Sequence, residues 1–265
     1  MCIRDSYLDA LAQDIALHVR ELGAGVPVSQ LHFGGGTPTF LSDDELTRLM
    51  QDLRAGFRFE PDAEISIEVD PRTATPARLA HLRQLGFNRL SFGVQDFDQR
   101  VQVAVHRVQS FEDVRALMQS ARALGYDSVN VDLIYGLPLQ TTESFARTIS
   151  QVVTLRPDRI ALYAYAHLPE RFKPQRRINE SDLPDRATRV GLLSSAIDGF
   201  LQQGYTYIGM DHFALNTDAL AVAKQRGELH RNFQGYSTQP DRDLVALGVS
   251  CLLYTSPSPR DQRGS

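Results

Sequence analysis

The sequence predicts an α/β fold in which parallel strands are joined by helical crossovers. Three observations carry this expectation. Short apolar runs alternate with segments of helical period, and most strand starts lie ~30 residues or more apart, about the length of a βα unit. The run His32-Phe33-Gly34-Gly35-Gly36-Thr37-Pro38-Thr39 leads an apolar strand straight into three glycines. Polar residues recur at the ends of the other apolar runs, the edge where ligands bind in barrel and open α/β folds alike.

The elements follow in order. Leu8, Leu11, Ile15, Val19 and Leu22 recur at helical spacing, so Tyr7–Leu22 reads as an amphipathic helix. Strands are predicted at Val28–Phe33, Glu64–Val69, Arg89–Gly93, Ser128–Leu133 and Arg159–Tyr165. Helices are predicted between them at Asp43–Phe57, Pro76–Leu85, Phe111–Leu124 and Thr142–Thr154. Ser42 is placed to cap the first of these, with Glu45 at the capping-box position. Gly86 and Gly125 stand where helix ends want a left-handed residue. A later helix, Ala187–Gln203, leads to a strand-like segment, Tyr205–Met210. Periodicity leaves a βα barrel and an open sheet both open. The chain begins on a helix, although a βα series begins on a strand, so a first strand and its loop are expected ahead of Tyr7.

Composition narrows the class. With 265 residues the chain can bury a sizeable core. A formal net charge of −4 offers no general attraction for nucleic acid. No apolar stretch approaches the ~20 residues of a membrane span, and the start has no secretory apolar region. The two cysteines, Cys2 and Cys251, exclude a disulfide framework and favour a reducing cytoplasm. Residues 1–6 lack a pattern that joins them to the first helix, and residues 251–265 change abruptly to Pro, Ser and Arg. Both ends resemble translated sequencing-adapter read-through, which leaves residues 7–250 as the core.

Chemistry is sought at the strand ends. Glycines there let a ligand approach the backbone and leave N–H groups free for a small polar or anionic group. The ends offer Gly34-Gly35-Gly36-Thr37, Glu68-Val69-Asp70-Pro71, Gly93-Val94-Gln95-Asp96, Asp132 with Tyr135-Gly136-Leu137-Pro138, and Tyr165-Ala166-His167. Convergence from five strands favours a small-molecule site. Singly, Glu68 or Asp70 could cap a helix and Gln95 could bond a loop carbonyl. His32, His106, His167, His212 and His230 have no helix-face metal spacing, so structural or substrate-contacting roles are favoured over a metal site. The hydrolase elbow and the Walker loop are absent. Arg171, Lys173, Arg176 and Arg177 read as a solvated basic face, ahead of a clamp for substrate carboxylates.

These motifs, with Gly209-Met210-Asp211-His212-Phe213-Ala214 and His230-Arg231-Asn232-Phe233-Gln234-Gly235-Tyr236, resemble the oxygen-independent coproporphyrinogen III oxidase family of radical S-adenosylmethionine enzymes. The similarity runs from Tyr7 to about Ser250. It implies a partial (β/α)6 barrel, a 4Fe–4S cluster at its open edge and two bound S-adenosylmethionine molecules. It also implies a 5′-deoxyadenosyl radical that takes hydrogen from a propionate of coproporphyrinogen III. Loss of CO2 follows, twice, to give protoporphyrinogen IX. An electron donor, a monomeric state and no nucleic-acid or membrane partner belong to the same expectation. Carried over by motif, Gly35 and Glu68 would touch the first S-adenosylmethionine. Gly36, Thr37, Gln95, Arg107, Asp132 and Ala166 would touch the second. A haem-delivering chaperone of the same superfamily shares the earlier motifs and is the alternative, which the segments after Tyr165 disfavour.

The departure from the family is the cluster motif. Three cysteines in C-x3-C-x2-C should precede the first helix, and Cys2 cannot supply three thiolates. The chain therefore reads as an internal fragment, truncated at both ends of the barrel fold, and inactive by itself. An unpaired strand edge in such a fragment would invite aggregation.

Overall fold

Alternation of apolar and polar residues builds the sheet, and helical stripes cover one face of it. A computed structural model describes residues 3–232, 235–239 and 242–248. Five parallel strands stand in chain order: β1 (Val26–Phe33), β2 (Phe57–Val69), β3 (Arg89–Gln95), β4 (Ser128–Tyr135) and β5 (Arg159–Ala164). An antiparallel pair, β6 (Tyr205–Gly209) and β7 (His212–Leu215), extends the sheet, with β7 bonded to β5. The order β1-β2-β3-β4-β5-β7-β6 forms a curled half-barrel, with β1 at one edge and β6 at the other.

The helices are α1 (Ile3–Leu22), α2 (Asp43–Gly56), α3 (Pro76–Gln84), α4 (Gln99–Ala104), α5 (Phe111–Ala123), α6 (Thr142–Leu155), α7 (Arg186–Gln202) and α8 (Ala219–Arg226). They cover the apolar face of the sheet, where Ile67, Leu90, Phe92, Val129, Val131 and Leu133 are fully buried with Leu46, Leu79, Leu82 and Phe145 of the helices. Ser42 caps α2 in a complete capping box with Glu45. Gly86 and Gly125 adopt φ of +98° and +75°, as helix ends require.

The structure moves several expected boundaries. The first helix begins at Ile3, not Tyr7. Asp5 lies in its first turn, where the helix dipole favours it. Arg4 reaches the Phe40 carbonyl and the Glu45 carboxylate of α2, both at 3.4 Å. Residues 3–6 thus form the first turn of α1, and Arg4 ties it to α2 through surface polar contacts that leave no apolar stripe in the sequence. β2 begins at Phe57, ahead of Glu64, because Phe57–Phe59 pairs with Val26–Val28 across a register shift. The interruption Glu60-Pro61-Asp62 hides this strand from a test of alternation. The segment at Tyr205 is a strand, but it is antiparallel and reaches the sheet only through β7. β7, α4 and α8 were not anticipated.

A satellite core of Ile208, Ala214, Leu220 and Ala221 lies under α8, with Tyr236 packed against it. Tyr236 belongs to a two-stranded ribbon of β8 (His230–Asn232) and β9 (Gly235–Ser237). Its hydroxyl fills the space a Cβ at Gly209 would need, and Gly209 has φ +139°. Cys2, Phe233, Gln234, Ser250 and the tail 251–265 lie outside the described residues.

Candidate functional site

The face of the sheet turned away from the helices is polar. Glu68, Ser91, Asn130 and Arg159 stand abreast on β2 to β5, and Gly93, Asp132, Ala161 and His212 form the next row on β3, β4, β5 and β7. This follows from period-two alternation: burying Ile67, Phe92, Val131 and Leu133 under the helices turns their neighbours to the other side.

The glycine loop closes one end of this row. His32 on β1 bonds the Ser66 hydroxyl through Nδ1 at 2.8 Å and places Nε2 3.5 Å from Glu68 Oε1. Gly34 fits against that pair: a Cβ there would sit 2.5 Å from His32 Nε2 and 2.8 Å from Glu68 Oε1. Gly35, at φ +94°, and Gly36 are exposed, and nothing lies within 4 Å of where a Gly36 Cβ would stand. Thr37 precedes the single turn Pro38–Phe40, and its hydroxyl makes no capping bond.

At the end of β3 the register shifts between Gly93 and Gln95, and Gln95 adopts φ +67°. Its side chain and the Arg107 guanidinium flank Gly93: a Cβ there would meet Gln95 Nε2 at 3.0 Å and Arg107 Nη2 at 3.4 Å. Arg107 donates to the Gly93 carbonyl at 3.2 Å and lies 3.6 Å from Asp70. Burial tends to push Asp70 up, but bonds from Arg72 and the charge of Arg107 hold it below the ordinary carboxylate range. Gln95 Oε1 and Arg107 Nε are buried without a hydrogen-bond partner. A buried acceptor and a buried donor left without partners on two side chains that both reach Gly93 are costly unless a ligand completes them.

Asp132 accepts from the Ser91 hydroxyl at 2.9 Å. Burial pushes its carboxyl up to about 6, aided by the charge of Glu68 and opposed by the Ser91 bond and His32. Tyr163 on β5 is pushed up to about 12 by burial and by the charges of Asp132 and Glu68, so it stays protonated at neutral pH. Its ring meets His212 edge-on at 5.9 Å.

Gly35, Gly36, Thr37, Glu68, Gln95, Arg107 and Asp132 therefore occupy one edge. Ala166 lies two residues past β5, and its carbonyl accepts from Gln175 Nε2 at 3.0 Å. The sequence did not single out Ser91 or Tyr163, and it favoured structural or substrate-contacting roles for His32 and His212 over a metal site. Strand alternation was the available signal, since Ser91 stands two residues before Gly93 and Tyr163 two after Ala161. Among the described residues, no group of three His, Cys, Asp or Glu could hold a metal ion. The cations Arg171, Lys173 and Arg177 are exposed, and Arg176 donates to the Pro169 carbonyl at 2.9 Å.

The profile of the Radical SAM superfamily matches residues 5–152. The oxygen-independent coproporphyrinogen III oxidase of Escherichia coli K12 is 54% identical over 248 residues, which cover 94% of this chain and 54% of that protein. The enzyme of the same name from Pseudomonas aeruginosa is 52% identical and covers 93% and 54%. The solved E. coli structure, described as a radical SAM enzyme, superposes with a TM-score of 0.89 over 93% of this chain and 56% of that one. The chain thus spans about half the length of the curated relatives it matches.

Proposed function

This chain belongs to the radical SAM superfamily, and from that premise we propose that it forms the cofactor-holding barrel of an oxygen-independent coproporphyrinogen III oxidase. The observation that carries this reading is the 54% identity over 94% of the chain to a protein of that name. The relatives carry the oxidase name, which favours it over the haem-chaperone alternative. The substrate would be coproporphyrinogen III, two of whose propionate side chains would each give up a hydrogen atom to the radical chemistry and their carboxylate as CO2, leaving vinyl groups. An external electron donor, a monomeric state and a cytoplasmic location belong to the same proposal. No helix among the described residues is long and apolar enough to cross a membrane.

The residues suit S-adenosylmethionine, which when bound supplies one-electron oxidising chemistry in this superfamily. The partnerless pair of Gln95 Oε1 and Arg107 Nε is open to a ligand carrying both a donor and an acceptor. Glycine N–H groups at Gly35 and Gly36 suit a carboxylate. Glu68 and Asp132 offer acceptors for ammonium or ribose hydroxyl groups, and Arg107 suits a carboxylate. We assign Gly35 and Glu68 to one molecule, and Gly36, Thr37, Gln95, Arg107, Asp132 and Ala166 to a second. Their work is to orient the ligand against one C–H bond, the main demand of such chemistry. A 4Fe–4S cluster does not fit the residues present. The two cysteines of this chain, Cys2 and Cys251, cannot supply the family's three thiolates.

A chimera tests the proposal. Residues 7–248 would replace the matching segment of the E. coli oxidase, expressed in a strain that lacks coproporphyrinogen oxidase. Restored haem synthesis is expected, and Glu68→Gln in the chimera should lower it severalfold. A chimera that binds S-adenosylmethionine yet leaves coproporphyrinogen III unconsumed would sink the oxidase reading.

A further inference from the structure

Gln95 is held in a strained conformation by groups outside the candidate ligand site. The Asp96 N–H donates back to the Val94 carbonyl at 2.9 Å while Gln95 has φ +67°. This is a three-residue γ-turn of the positive-φ kind, which is rare and strained for a residue with a Cβ. The turn is clamped on both sides. Gln109 Nε2 donates to the Val94 carbonyl at 2.5 Å, and Gln102 Nε2 donates to the Asp96 carbonyl at 2.8 Å. Gln102 also accepts from Gln109 N at 3.2 Å, and its carbonyl accepts from Arg107 N at 2.9 Å.

The centre of this network is the Asp96 carboxylate, only 1% exposed. Its Oδ1 accepts from Asp98 N at 2.6 Å and from the Thr148 hydroxyl of α6 at 2.7 Å. Its Oδ2 accepts from Gln140 Nε2 at 2.6 Å. Gln140 Oε1 in turn receives Gly136 N and Leu137 N, at 2.6 and 3.3 Å, in the turn after β4. One carboxylate thus ties together the end of β3, the turn after β4, and α6, while the main-chain carbonyl of Asp96 reaches through Gln102 to the loop that carries Arg107. Burial pushes its carboxyl up, and the three donors oppose this. Such a network is rigid when every member is satisfied, as here, apart from Gln109 Oε1.

We propose that Asp96 is the positioning residue for Gln95 and Arg107, holding the γ-turn so that both present their open polar atoms to a ligand. The proposal rests on the reading that those two residues contact S-adenosylmethionine. The network accounts for two features at once: the strain at Gln95 and the pair of buried, partnerless atoms beside it. Both are unfavourable alone and are sustained by bonds made elsewhere.

Hydrogen exchange by mass spectrometry on the full chain, with S-adenosylmethionine titration of the same samples, tests it. Asp96→Asn puts an amide donor against the Gln140 amide donor. It should raise exchange in 93–109 and leave β2 unchanged, and weaken S-adenosylmethionine binding about tenfold, equivalent to ~1.4 kcal/mol. The double variant Asp96→Asn with Gln140→Glu reverses donor and acceptor and should recover part of both losses. Thr148→Val removes one of the three bonds to the carboxylate, along with the bond the hydroxyl accepts from Phe97 N at 3.2 Å, and serves if Asp96→Asn does not fold; it should show the same pattern, weaker. Uniform or absent change in exchange overturns the proposal. So does unchanged affinity in Asp96→Asn when Gln95→Ala weakens binding. If neither Gln95→Ala nor Arg107→Ala affects affinity, the cofactor reading fails separately, and exchange still decides whether Asp96 holds the turn.

Discussion

Asp132 shows how one side chain couples the site to the stability of the whole. Its carboxyl is raised from 3.8 to about 6, chiefly by burial. The folded chain therefore holds a proton that the unfolded chain releases, and stability falls as pH rises from about 4 through 6. Asp132→Asn keeps the acceptor for Ser91 and removes the charge. It should stabilise the chain at pH 7.5 by on the order of 2 kcal/mol and leave it unchanged at pH 4. Urea unfolding at the two pH values checks this, and equal gains at both would refute the assignment of burial as the cause. A site residue that opposes stability at neutral pH fits a group kept for binding. At this scale the sequence pointed to the strand ends, but not to Ser91 or Tyr163. Whether a side chain between two buried neighbours faces an open site or a packed layer depends on what covers that face.

The elements owe their limits to local chemistry where they were well anticipated. The α2 capping box is written in the sequence as Ser42 and Glu45, and the structure forms both of its bonds, at 3.3 and 2.7 Å. Ser42→Ala should cost ~1 kcal/mol, seen as a lower thermal midpoint. Glu45→Ala should cost a similar amount, because it also removes the contact with Arg4. Boundaries failed where tertiary contacts decided them. β2 begins at Phe57 because β1 pairs with it there, and α1 reaches Ile3 through Arg4, Phe40 and Glu45. α4 escaped notice because its six residues are too few for a periodic signal, although Asp98 caps it.

In the whole molecule, one large core joins β1 to β5 with their helices, and a small satellite lies under α8. The satellite is tied to the sheet by Arg159 Nε, which donates to both oxygens of Asp218 at 3.0 and 2.9 Å. Few buried apolar groups mean a low local opening free energy. Native-state hydrogen exchange should find α8 open before β2 to β4, and Asp218→Asn should widen the gap. Synchronous exchange of α8 with those strands would show instead that the satellite and the main core unfold as one unit.

From the sequence alone came the αβ alternation, the α2 cap with the glycines that end α3 and α5, and the edge at which the candidate site residues gather, because each is set by residues near one another in the chain. Only the tertiary structure decided the antiparallel closure by β7, the pairing of His32 with Glu68, and the burial that raises Asp132. It also decided the γ-turn at Gln95 and the reach of Asp96 to Gln140 and Thr148. The pairing of His32 with Glu68 and the reach of Asp96 depend on partners 36 to 52 positions apart in the sequence. Periodicity carries no record of such distances, since only the folded chain brings those residues together.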